Sequence, residues 1–316
     1  MGHNYYIRKV YSMKESFHIV SDGSCDLPPE LAQEKNITIV PFYVSFDNEH
    51  YFKENVEIDI RDFYRQMVEN KGVYPKSSMP SIQDYEEAFL PFVEAELPVV
   101  CICITTKFSG SMQSALNART LLLEKYPRAE ITVIDAAVNT VLQGQYVLEA
   151  AELRDQGTSY QDTVARLEEI KHTGRIFFTV ENMEYLRHGG RIGKVAALAG
   201  GALDIRPIIT LKQGEIFPSG IDRGRKRTTK KVMNLLLKYL QESTLGIDCY
   251  SLAVGYGYDQ EEGLAFREQA LALLREKGYG IDSMPVYQIG ATIGVHTGPH
   301  PLGFGIIEKG IRPVKG

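Results

Sequence analysis

The first half of the chain alternates short apolar runs with longer stretches of helical periodicity. The runs have the length of buried strands, whereas the longer stretches place apolar residues on one face of a helix. The predicted strands are residues 17–21, 37–46, 98–104 and 130–135. The predicted helices begin near residue 28 and cover residues 58–69, 81–94, 110–126 and 140–156. This alternation is typical of a parallel sheet flanked by helices, so we expect an N-terminal Rossmann-like α/β domain.

The second half has a more varied pattern, which predicts another α/β domain built on a mixed sheet. The predicted helices are residues 160–172, 183–187, 228–241 and 260–277. The predicted strands are residues 175–180, 208–211, 215–218, 251–255, 283–288 and 304–307. The turn Lys212-Gln213-Gly214 between two of these strands indicates an antiparallel hairpin. Because Gly157-Thr158-Ser159 separates the two patterns, we place the domains at residues 17–157 and 158–316.

Composition and charge narrow the classes of function. The chain has 316 residues, of which 44% are hydrophobic, and a formal net charge of −5. An acidic chain without a long basic run argues against nucleic-acid binding, which needs a basic patch or stripe. The four cysteines form no C-x-x-C pair, so we expect neither a disulfide scaffold nor a metal site. No apolar run has the length of a membrane span and no signal-peptide pattern is present, so we expect a cytoplasmic protein.

The stretch T-T-K-F-S-G-S-M-Q-S-A, residues 105–115, joins a predicted strand to a predicted helix. It lacks the G-K-[ST] ending of a P-loop, and the turn after the first strand has a single Gly instead of G-x-G-x-x-G. A smaller anion site remains, made of the hydroxyls of Ser109 and Ser111, a close backbone approach at Gly110 and the first N–H groups of the helix. One carboxylate or one phosphate fits such a site. An ordinary helix cap explains the same residues, so the motif alone leaves both interpretations open.

Two other polar turns lie where strands meet helices. K-S-S-M-P-S, residues 76–81, carries the hydroxyls of Ser77 and Ser78, and D-G-S-C-D, residues 22–26, follows the first predicted strand. Each turn alone is ordinary capping chemistry. In a parallel sheet, however, the loops at the carboxyl ends of the strands converge on one crevice, where ligands bind. Convergence of three polar loops therefore favours a binding site.

Fixed positive charge and one histidine complete the candidate chemistry. Arg191 lies in the Gly-rich stretch H-G-G-R-I-G-K, and the cluster R-G-R-K contains Arg223, Arg225 and Lys226. These residues suit contacts with a phosphate or with a carboxylate of a partner. A helix cap and a solvated loop are the structural alternatives. His296, in H-T-G-P-H, is a catalytic candidate by residue type, but no Ser/His/Asp order or metal-ligand spacing accompanies it.

From residue 17 to about residue 309, these motifs together resemble the DegV family, the fatty-acid-binding proteins that partner bacterial fatty-acid kinase. Each motif is weak alone, but their common order is specific. S-S-M-P-S is similar to the family's T-S-x-P-S/T, and I-T-T-K-F-S-G-S-M-Q-S-A to its S-x-x-L-S-G-T-x-x-x-A. The other resembling segments are V-S-D-G-S-C-D-L, E-Y-L-R-H-G-G-R-I-G-K, D-I-R-P-I-I-T-L-K-Q-G-E-I, R-G-R-K-R-T and H-T-G-P.

The resemblance implies a ligand between the two domains. Ser109 and Ser77 would hold the carboxylate of one long-chain fatty acid, His296 would lie near this head group, and the acyl tail would occupy an apolar tunnel. The residues that the resemblance places at the carboxylate are Ser77, Ser78, Ser109, Gly110, Ser111 and His296. Ser77 and Ser111 stand where the family usually has Thr, and His300-Pro301 follows H-T-G-P where the family generally has a small residue.

The resemblance also implies a carrier without catalysis of its own and without a cofactor. A separate fatty-acid kinase would phosphorylate the bound carboxylate to an acyl-phosphate, a step of phospholipid metabolism. Residues implied to meet the kinase or the new phosphate are Arg191, Arg223, Arg225 and Lys226. Transient contact with a membrane surface is compatible with this role.

Two other hypotheses come from different classes of function. One is an acyl or phosphoryl transferase in which Ser109 is the nucleophile and His296 the base. The other is a protein-interaction module that uses only the basic cluster, which predicts no occupied apolar tunnel. The sequence does not determine the length, saturation or branching of an acyl chain, or the oligomeric state.

Overall fold

The computed structural model describes residues 16–198 and 205–313, so the last part of the Gly-rich stretch and residues 314–316 of the predicted second domain lie outside the described residues. The strands are β1 (His18–Asp22), β2 (Ile37–Val40), β3 (Tyr43–Ser45), β4 (Phe52–Lys53), β5 (Lys76–Ser78), β6 (Val99–Cys103), β7 (Ile131–Asp135), β8 (Arg175–Thr179), β9 (Ile205–Lys212), β10 (Glu215–Arg223), β11 (Tyr250–Tyr256), β12 (Val286–Gln288) and β13 (Leu302–Glu308). The α-helices are α1 (Pro29–Glu34), α2 (Ile60–Glu69), α3 (Ile82–Glu94), α4 (Ser111–Lys125), α5 (Thr140–Asp155), α6 (Tyr160–Ile170), α7 (Glu184–His188), α8 (Arg225–Glu242), α9 (Gln260–Glu276) and α10 (Ala291–Thr297).

The N-terminal half contains a parallel sheet, as its alternation of strands and helices predicts. The strand order is β2-β1-β6-β7, and all three neighbouring pairs are parallel. Every residue of β1 and β6 is buried, because helices cover both faces of the sheet. β2 lies on one side of β1 and β6 on the other, so the order in which the chain adds strands reverses at β1. A crevice is therefore expected at the carboxyl ends of β1 and β6.

The predicted strand at residues 37–46 is wrong in one respect, because the chain forms two strands there. β2 ends at Val40, which pairs with Asp22 of β1. β3 then joins a separate antiparallel sheet of order β4-β3-β5. Pro41 lies between the two strands and cannot donate a backbone hydrogen bond to a ladder, which explains the break.

The C-terminal half contains a mixed sheet, which confirms the predicted fold class. Its strand order is β10-β9-β8-β13-β11-β12, with β11 and β12 parallel and the other neighbouring pairs antiparallel. The predicted hairpin is β9–β10. Gln213 and Gly214 at its turn have φ of 51° and 80°, the left-handed conformations of a type I′ turn.

Helix α5 lies between the two sheets and is buried on nearly every side. A Cβ at its Gly144 would lie 2.5 Å from the Cys25 carbonyl oxygen of the N-terminal half, and a Cβ at Gly305 of β13 would lie 2.8 Å from Cβ of Leu142. One hydrophobic cluster joins residues of both halves, including Ile19 and Ile307. The predicted boundary follows α5 at Gly157, where φ is +82°. Since the core is continuous across it, the division into residues 17–157 and 158–316 remains a prediction.

Candidate functional site

A largely apolar cavity lies between the two sheets and encloses about 1060 Å³ of space, its open mouth included. Ligand cavities in other proteins likewise combine a mostly apolar lining with a few polar groups. Its apolar wall comes from both halves of the chain: Phe42, Ile104, Phe108, Val141, Ile176, Phe178, Leu186, Leu211, Ile216, Ile289, Ile293 and Phe304. Its polar side chains include Ser77, Ser109, Asn139, Thr140, Arg191, Thr292, His296 and Thr297.

The predicted candidates Ser77, Ser109, Gly110, Arg191 and His296 all line this cavity. They are close neighbours, because contacts join the loops that carry them. A Cβ at Gly110 would lie 2.9 Å from Sδ of Met79, which follows β5, and the Arg191 guanidinium donates to the Phe108 carbonyl. The cavity thus has a polar region where these loops meet, and the rest of its wall is mostly apolar.

Ser77 reaches the cavity because it belongs to β5, whose side chains alternate between two faces. Ser77 pairs with Val44, is half-buried and lines the cavity. The next residue, Ser78, is exposed and is absent from the lining. The prediction that Ser78 contacts the ligand is therefore not supported, because the alternation of the strand directs its side chain elsewhere.

Ser109 is presented by the loop between β6 and α4. Its hydroxyl accepts a hydrogen bond from the Ser111 amide at 3.1 Å and is half-buried on the cavity wall. Gly110 precedes the helix and lets Met79 approach the loop. The hydroxyl of Ser109 retains its proton for a further acceptor, so it can donate to an anion in the cavity.

Ser111 does not reach the cavity, contrary to its predicted role at the carboxylate. Its hydroxyl is fully buried, donates to Asp22 Oδ2 at 2.7 Å and lies 2.6 Å from the Tyr85 hydroxyl. Ser111 therefore holds the loop in place from behind, and Ser109 is the serine of this motif that faces the cavity.

Asp22 lies in the polar turn at residues 22–26, but it was given no role of its own from the sequence. Its carboxylate, fully buried at the end of β1, accepts hydrogen bonds from four groups: Ser24 Oγ, Gln143 Nε2, the Ile104 amide and Ser111 Oγ. Burial raises its pKa, and the hydrogen bonds oppose that shift. The position after a buried strand at the change of direction is the signal that identifies it. Asp22 fixes the ends of β1, β6, α4 and α5 relative to one another.

His296 lies in α10, which is not among the helices predicted from the sequence. Its Nε2 is 3.3 Å from Ser77 Oγ, and its buried Nδ1 has no hydrogen-bond partner among the described residues. Burial, with smaller effects of the positive charges of Arg191 and Lys76, lowers the pKa of His296 to about 4. The ring is accordingly neutral at pH 7. Gly189 packs so closely on it that an added Cβ would lie 2.0 Å from Nδ1.

Arg191 lines the cavity and joins the loop of Phe108 to the segment of Gly189. Its guanidinium donates to the Phe108 carbonyl at 3.0 and 2.7 Å and to the Gly189 carbonyl at 2.8 Å. These bonds hold a fixed positive charge beside the loop of Ser109 and beside His296.

The predicted basic cluster divides into two kinds of residue. Arg223 and Lys226 are exposed at the start of α8. Arg225 instead forms a bidentate ion pair with Glu262 at 2.6 and 2.7 Å and donates to the His300 carbonyl at 3.0 Å. Its charge is neutralised within the fold, so the prediction of a docking role for Arg225 is not supported. Because Pro301 lines the cavity, Arg225 instead anchors the loop at the cavity edge.

The geometry disfavours the transferase alternative. The hydroxyl nearest to His296 Nε2 belongs to Ser77, whereas Ser109 Oγ contacts the Ser111 amide. In the described part of the chain, no carboxylate hydrogen-bonds to His296 Nδ1, and a pKa of about 4 makes the ring a weak base. Ser109 and His296 are therefore not arranged as a nucleophile and its base.

The described residues, 16–198 and 205–313, contain no group of three or more His, Cys, Asp or Glu side chains arranged for a metal ion. None of their helices combines the length and apolar character needed to cross a membrane.

Comparison with known proteins identifies the family. The model of the DegV family, described as an uncharacterised protein family, matches residues 16–309. A DegV domain-containing protein of Caldanaerobacter subterraneus is 32% identical over 296 residues, which cover 93% of this chain and all of that protein. The crystal structure of a stearic-acid-binding protein from Eubacterium ventriosum is 42% identical, with a TM-score of 0.88 over 93% of this chain and 99% of that one.

A second solved structure is similar over the same share of both chains. It shows fatty-acid binding by a DegV family protein from Thermus thermophilus, 28% identical, with a TM-score of 0.82 over 93% of this chain and 99% of that one. The resemblance of the sequence motifs is thus confirmed over nearly the whole chain. The protein belongs to the DegV family.

Proposed function

We propose that this protein binds one long-chain fatty acid, with the carboxylate at the polar region of the cavity and the acyl tail between the two sheets. The observation that carries the proposal is the cavity itself. Hydroxyls of Ser77 and Ser109 and the ring of His296, whose Nδ1 has no hydrogen-bond partner among the described residues, share a wall that is largely apolar. The solved relatives that bind fatty acids support the same ligand class.

The polar region has the donors that a buried carboxylate requires. Removing a carboxylate from water costs several kcal/mol unless hydrogen bonds replace its hydration. Ser77 and Ser109 can each donate a hydroxyl proton, and α4, fifteen residues long, begins directly after Gly110 with its N–H groups. Arg191 adds positive charge to the cavity wall, where hydrogen bonds to backbone carbonyls hold its guanidinium.

The apolar wall has the chemistry that an acyl tail requires. Each methylene moved from water into such a wall contributes about 0.8 kcal/mol, so a long chain gains affinity without polar contacts. The carboxylate then fixes the orientation of the ligand, and the tail supplies most of the affinity.

Fatty-acid binding is expected to raise the pKa of His296 from about 4. A carboxylate beside the ring favours the imidazolium, because opposite charges attract in a partly desolvated site. Binding should then take up protons at pH values between the free and bound pKa and weaken as pH rises through the bound pKa. NMR titration of the His296 ring with and without palmitate measures both values. An unchanged pKa on binding would place the carboxylate elsewhere.

The direct test of the site is the double variant Ser77→Ala/Ser109→Ala. A hydrogen bond to a charged group contributes about 1.5–3 kcal/mol, so losing two should weaken fatty-acid binding roughly 100-fold or more. Competition with a fluorescent fatty acid gives the Kd. Ser78→Ala is the matched control, because Ser78 is exposed outside the cavity. Equal affinities for the double variant and the control would refute this site.

We further propose that the loaded protein presents the carboxylate of its bound fatty acid to a fatty-acid kinase in the cytoplasm. The kinase then forms the acyl-phosphate. Arg223 and Lys226 are exposed near the loop at the cavity edge, which suits docking of an acidic partner surface. The variant Arg223→Ala/Lys226→Ala should slow acyl-phosphate formation with kinase and ATP about tenfold, while its Kd for palmitate stays unchanged. A rate equal to that of the unsubstituted protein would remove this cluster from the docking surface.

Loading of the carrier is compatible with brief contact with a membrane surface. Met79 lines the cavity and is 44% exposed, and Tyr51 and Phe52 of the adjacent small sheet are also exposed. Co-sedimentation with anionic vesicles tests this contact, and no binding at low salt would exclude it.

A further inference from the structure

Two buried carboxyl groups meet behind the cavity wall, next to the helix that carries His296. Asp26, in the turn after β1, and Glu54, after β4, are 6% and 3% exposed. A Cβ at Gly290, directly before α10, would lie 2.4 Å from Asp26 Oδ1 and 2.4 Å from Glu54 Oε1. The two oxygens are therefore separated by no more than twice that distance. In the sequence analysis Asp26 appears only as part of the polar turn at residues 22–26, and Glu54 does not appear.

Hydrogen bonds connect this pair to the cavity wall. Asp26 Oδ2 accepts the Thr140 hydroxyl proton at 2.5 Å. Glu54 accepts the Ala291 amide at 2.5 Å, the Thr292 hydroxyl at 2.6 Å and the Thr292 amide at 3.3 Å. Thr140 and Thr292 both line the cavity. The pair thus holds two wall residues and the start of the helix whose last turn contains His296.

The surroundings leave the pair short of compensating charge. Asp26 Oδ1 and the hydroxyl of the fully buried Tyr64 have no hydrogen-bond partner among the described residues. The titratable and polar groups that face the pair are Asp22, Cys25, Tyr64, Thr140 and Thr292, with Tyr256 beyond Tyr64. All of these groups are acidic or neutral. Two ionised carboxylates at this separation would repel each other without a cation between them.

We propose that Asp26 and Glu54 share one proton and act together as positioning residues, which place α10 and His296 for ligand binding while the pair carries a single negative charge. The proton resides on Asp26, because only the Gly290 amide faces its Oδ1, outside regular hydrogen-bond geometry, whereas both oxygens of Glu54 are engaged as acceptors. This inference rests on the proposed fatty-acid site for its functional meaning. The arrangement of the pair itself does not depend on the ligand.

The expected pH dependence follows from the direction of the shifts. Burial and then the nearby Glu54 charge raise the pKa of Asp26 well above its ordinary value, and burial raises the pKa of Glu54 to about 7. A pKa that is raised in the folded state adds stability at low pH, and this stability is lost as pH rises through the folded pKa. Loss of the shared proton should therefore loosen α10 above neutral pH.

His296 can report this event because its own pKa in the empty protein is about 4. Between pH 6 and 8.5 its ring is neutral, so any movement of its NMR signal in that range reports a change around it. Ionisation of Glu54, with a pKa of about 7, should move the His296 signal of the empty protein, and loss of the shared proton from Asp26 should move it again at higher pH. The unfolding free energy should fall over the same range. The variant His296→Gln assigns the signal.

Isosteric variants separate positioning from a general effect on folding. In Asp26→Asn and in Glu54→Gln one ionisable group is gone, so the His296 signal should show one titration step instead of two, and urea unfolding should vary less with pH. Asp62→Asn, an exposed change on the neighbouring helix α2, should leave the NMR titration of His296 and the pH dependence of urea unfolding as in the unsubstituted protein. If one isosteric variant does not fold, the other and the titration of the unsubstituted protein still decide the matter.

The outcomes distinguish this inference from the proposed function. A His296 signal that stays constant from pH 6 to 8.5 overturns the positioning pair. So does a signal that titrates in Asp26→Asn and in Glu54→Gln as it does in the unsubstituted protein. In a parallel measurement, the Kd for palmitate should rise with pH by at most about tenfold per pH unit for one proton. Absence of palmitate binding at every pH would contradict the proposed function and leave the NMR result on the pair intact.

Discussion

Replacing Asp22 by Ala is expected to lower the free energy of unfolding by about 3 kcal/mol or more, because each buried polar group left without a partner costs roughly 1–3 kcal/mol. Four donors lose Asp22 as an acceptor in this variant: Ser24, Gln143, the Ile104 amide and Ser111. Ser24 and Gln143 retain Gln143 Oε1 and Ser21 Oγ as acceptors, so the loss falls mainly on the Ile104 amide and Ser111. The four donors belong to four segments of the chain that meet at the carboxyl edge of the parallel sheet. Urea unfolding followed by circular dichroism measures the change.

The same variant should also lose fatty-acid affinity, since the loop of Ser109 depends on Asp22 through Ile104 and Ser111. Asp22→Asn is the matched control, because it keeps the size of the side chain and one acceptor oxygen and should be destabilised less. A loss of stability below about 1 kcal/mol for Asp22→Ala would show that water or neighbouring groups replace the carboxylate, against this account.

Filling the apolar part of the cavity is expected to weaken binding in proportion to acyl chain length. Leu211 on β9 pairs with Ile176 on β8, and both side chains line the cavity. In Leu211→Trp the indole should exclude part of the tail. Exclusion of about four methylenes would cost about 3 kcal/mol, or roughly 100-fold in Kd for an eighteen-carbon acid.

A ten-carbon acid should lose much less affinity in Leu211→Trp, because a short chain does not need the whole cavity. Leu211→Ala serves as control: it enlarges the cavity and lowers stability by about 2–5 kcal/mol, but it should leave binding of the long chain within a few-fold. Equal losses for both chain lengths in Leu211→Trp would indicate a general disturbance of the fold instead of an occupied tunnel.

Much of the fold could be predicted because its signals are local. The buried runs of β1, β6 and β7 are visible as short apolar segments, and the β9–β10 turn has the Gly that a type I′ turn favours. Helix α10 could not be predicted in this way. Its Gly294, together with Gly290 and Gly298 at its ends, gives it low intrinsic helix propensity, and contacts with Glu54 from a distant part of the chain hold its start.

The candidate site was predicted in outline, but local sequence could not assign each hydroxyl. Ser109 and Ser111 are equivalent in composition, and only the position of Asp22 shows that Ser111 is engaged behind the loop. Ser77 and Ser78 could have been separated by strand alternation if β5 had been recognised as a strand. The engagement of Arg225 depends on Glu262, which lies 37 positions away and gives no local signal.

Native mass spectrometry of the purified protein, followed by denaturing extraction and identification of any lipid, tests directly whether the cavity binds a fatty acid. We expect a mass excess equal to one long-chain fatty acid in the unsubstituted protein, and a strongly reduced excess in Ser77→Ala/Ser109→Ala. The extracted lipid would also identify the acyl chain. A ligand-free mass that stays unchanged after incubation with palmitate and with oleate would contradict the account.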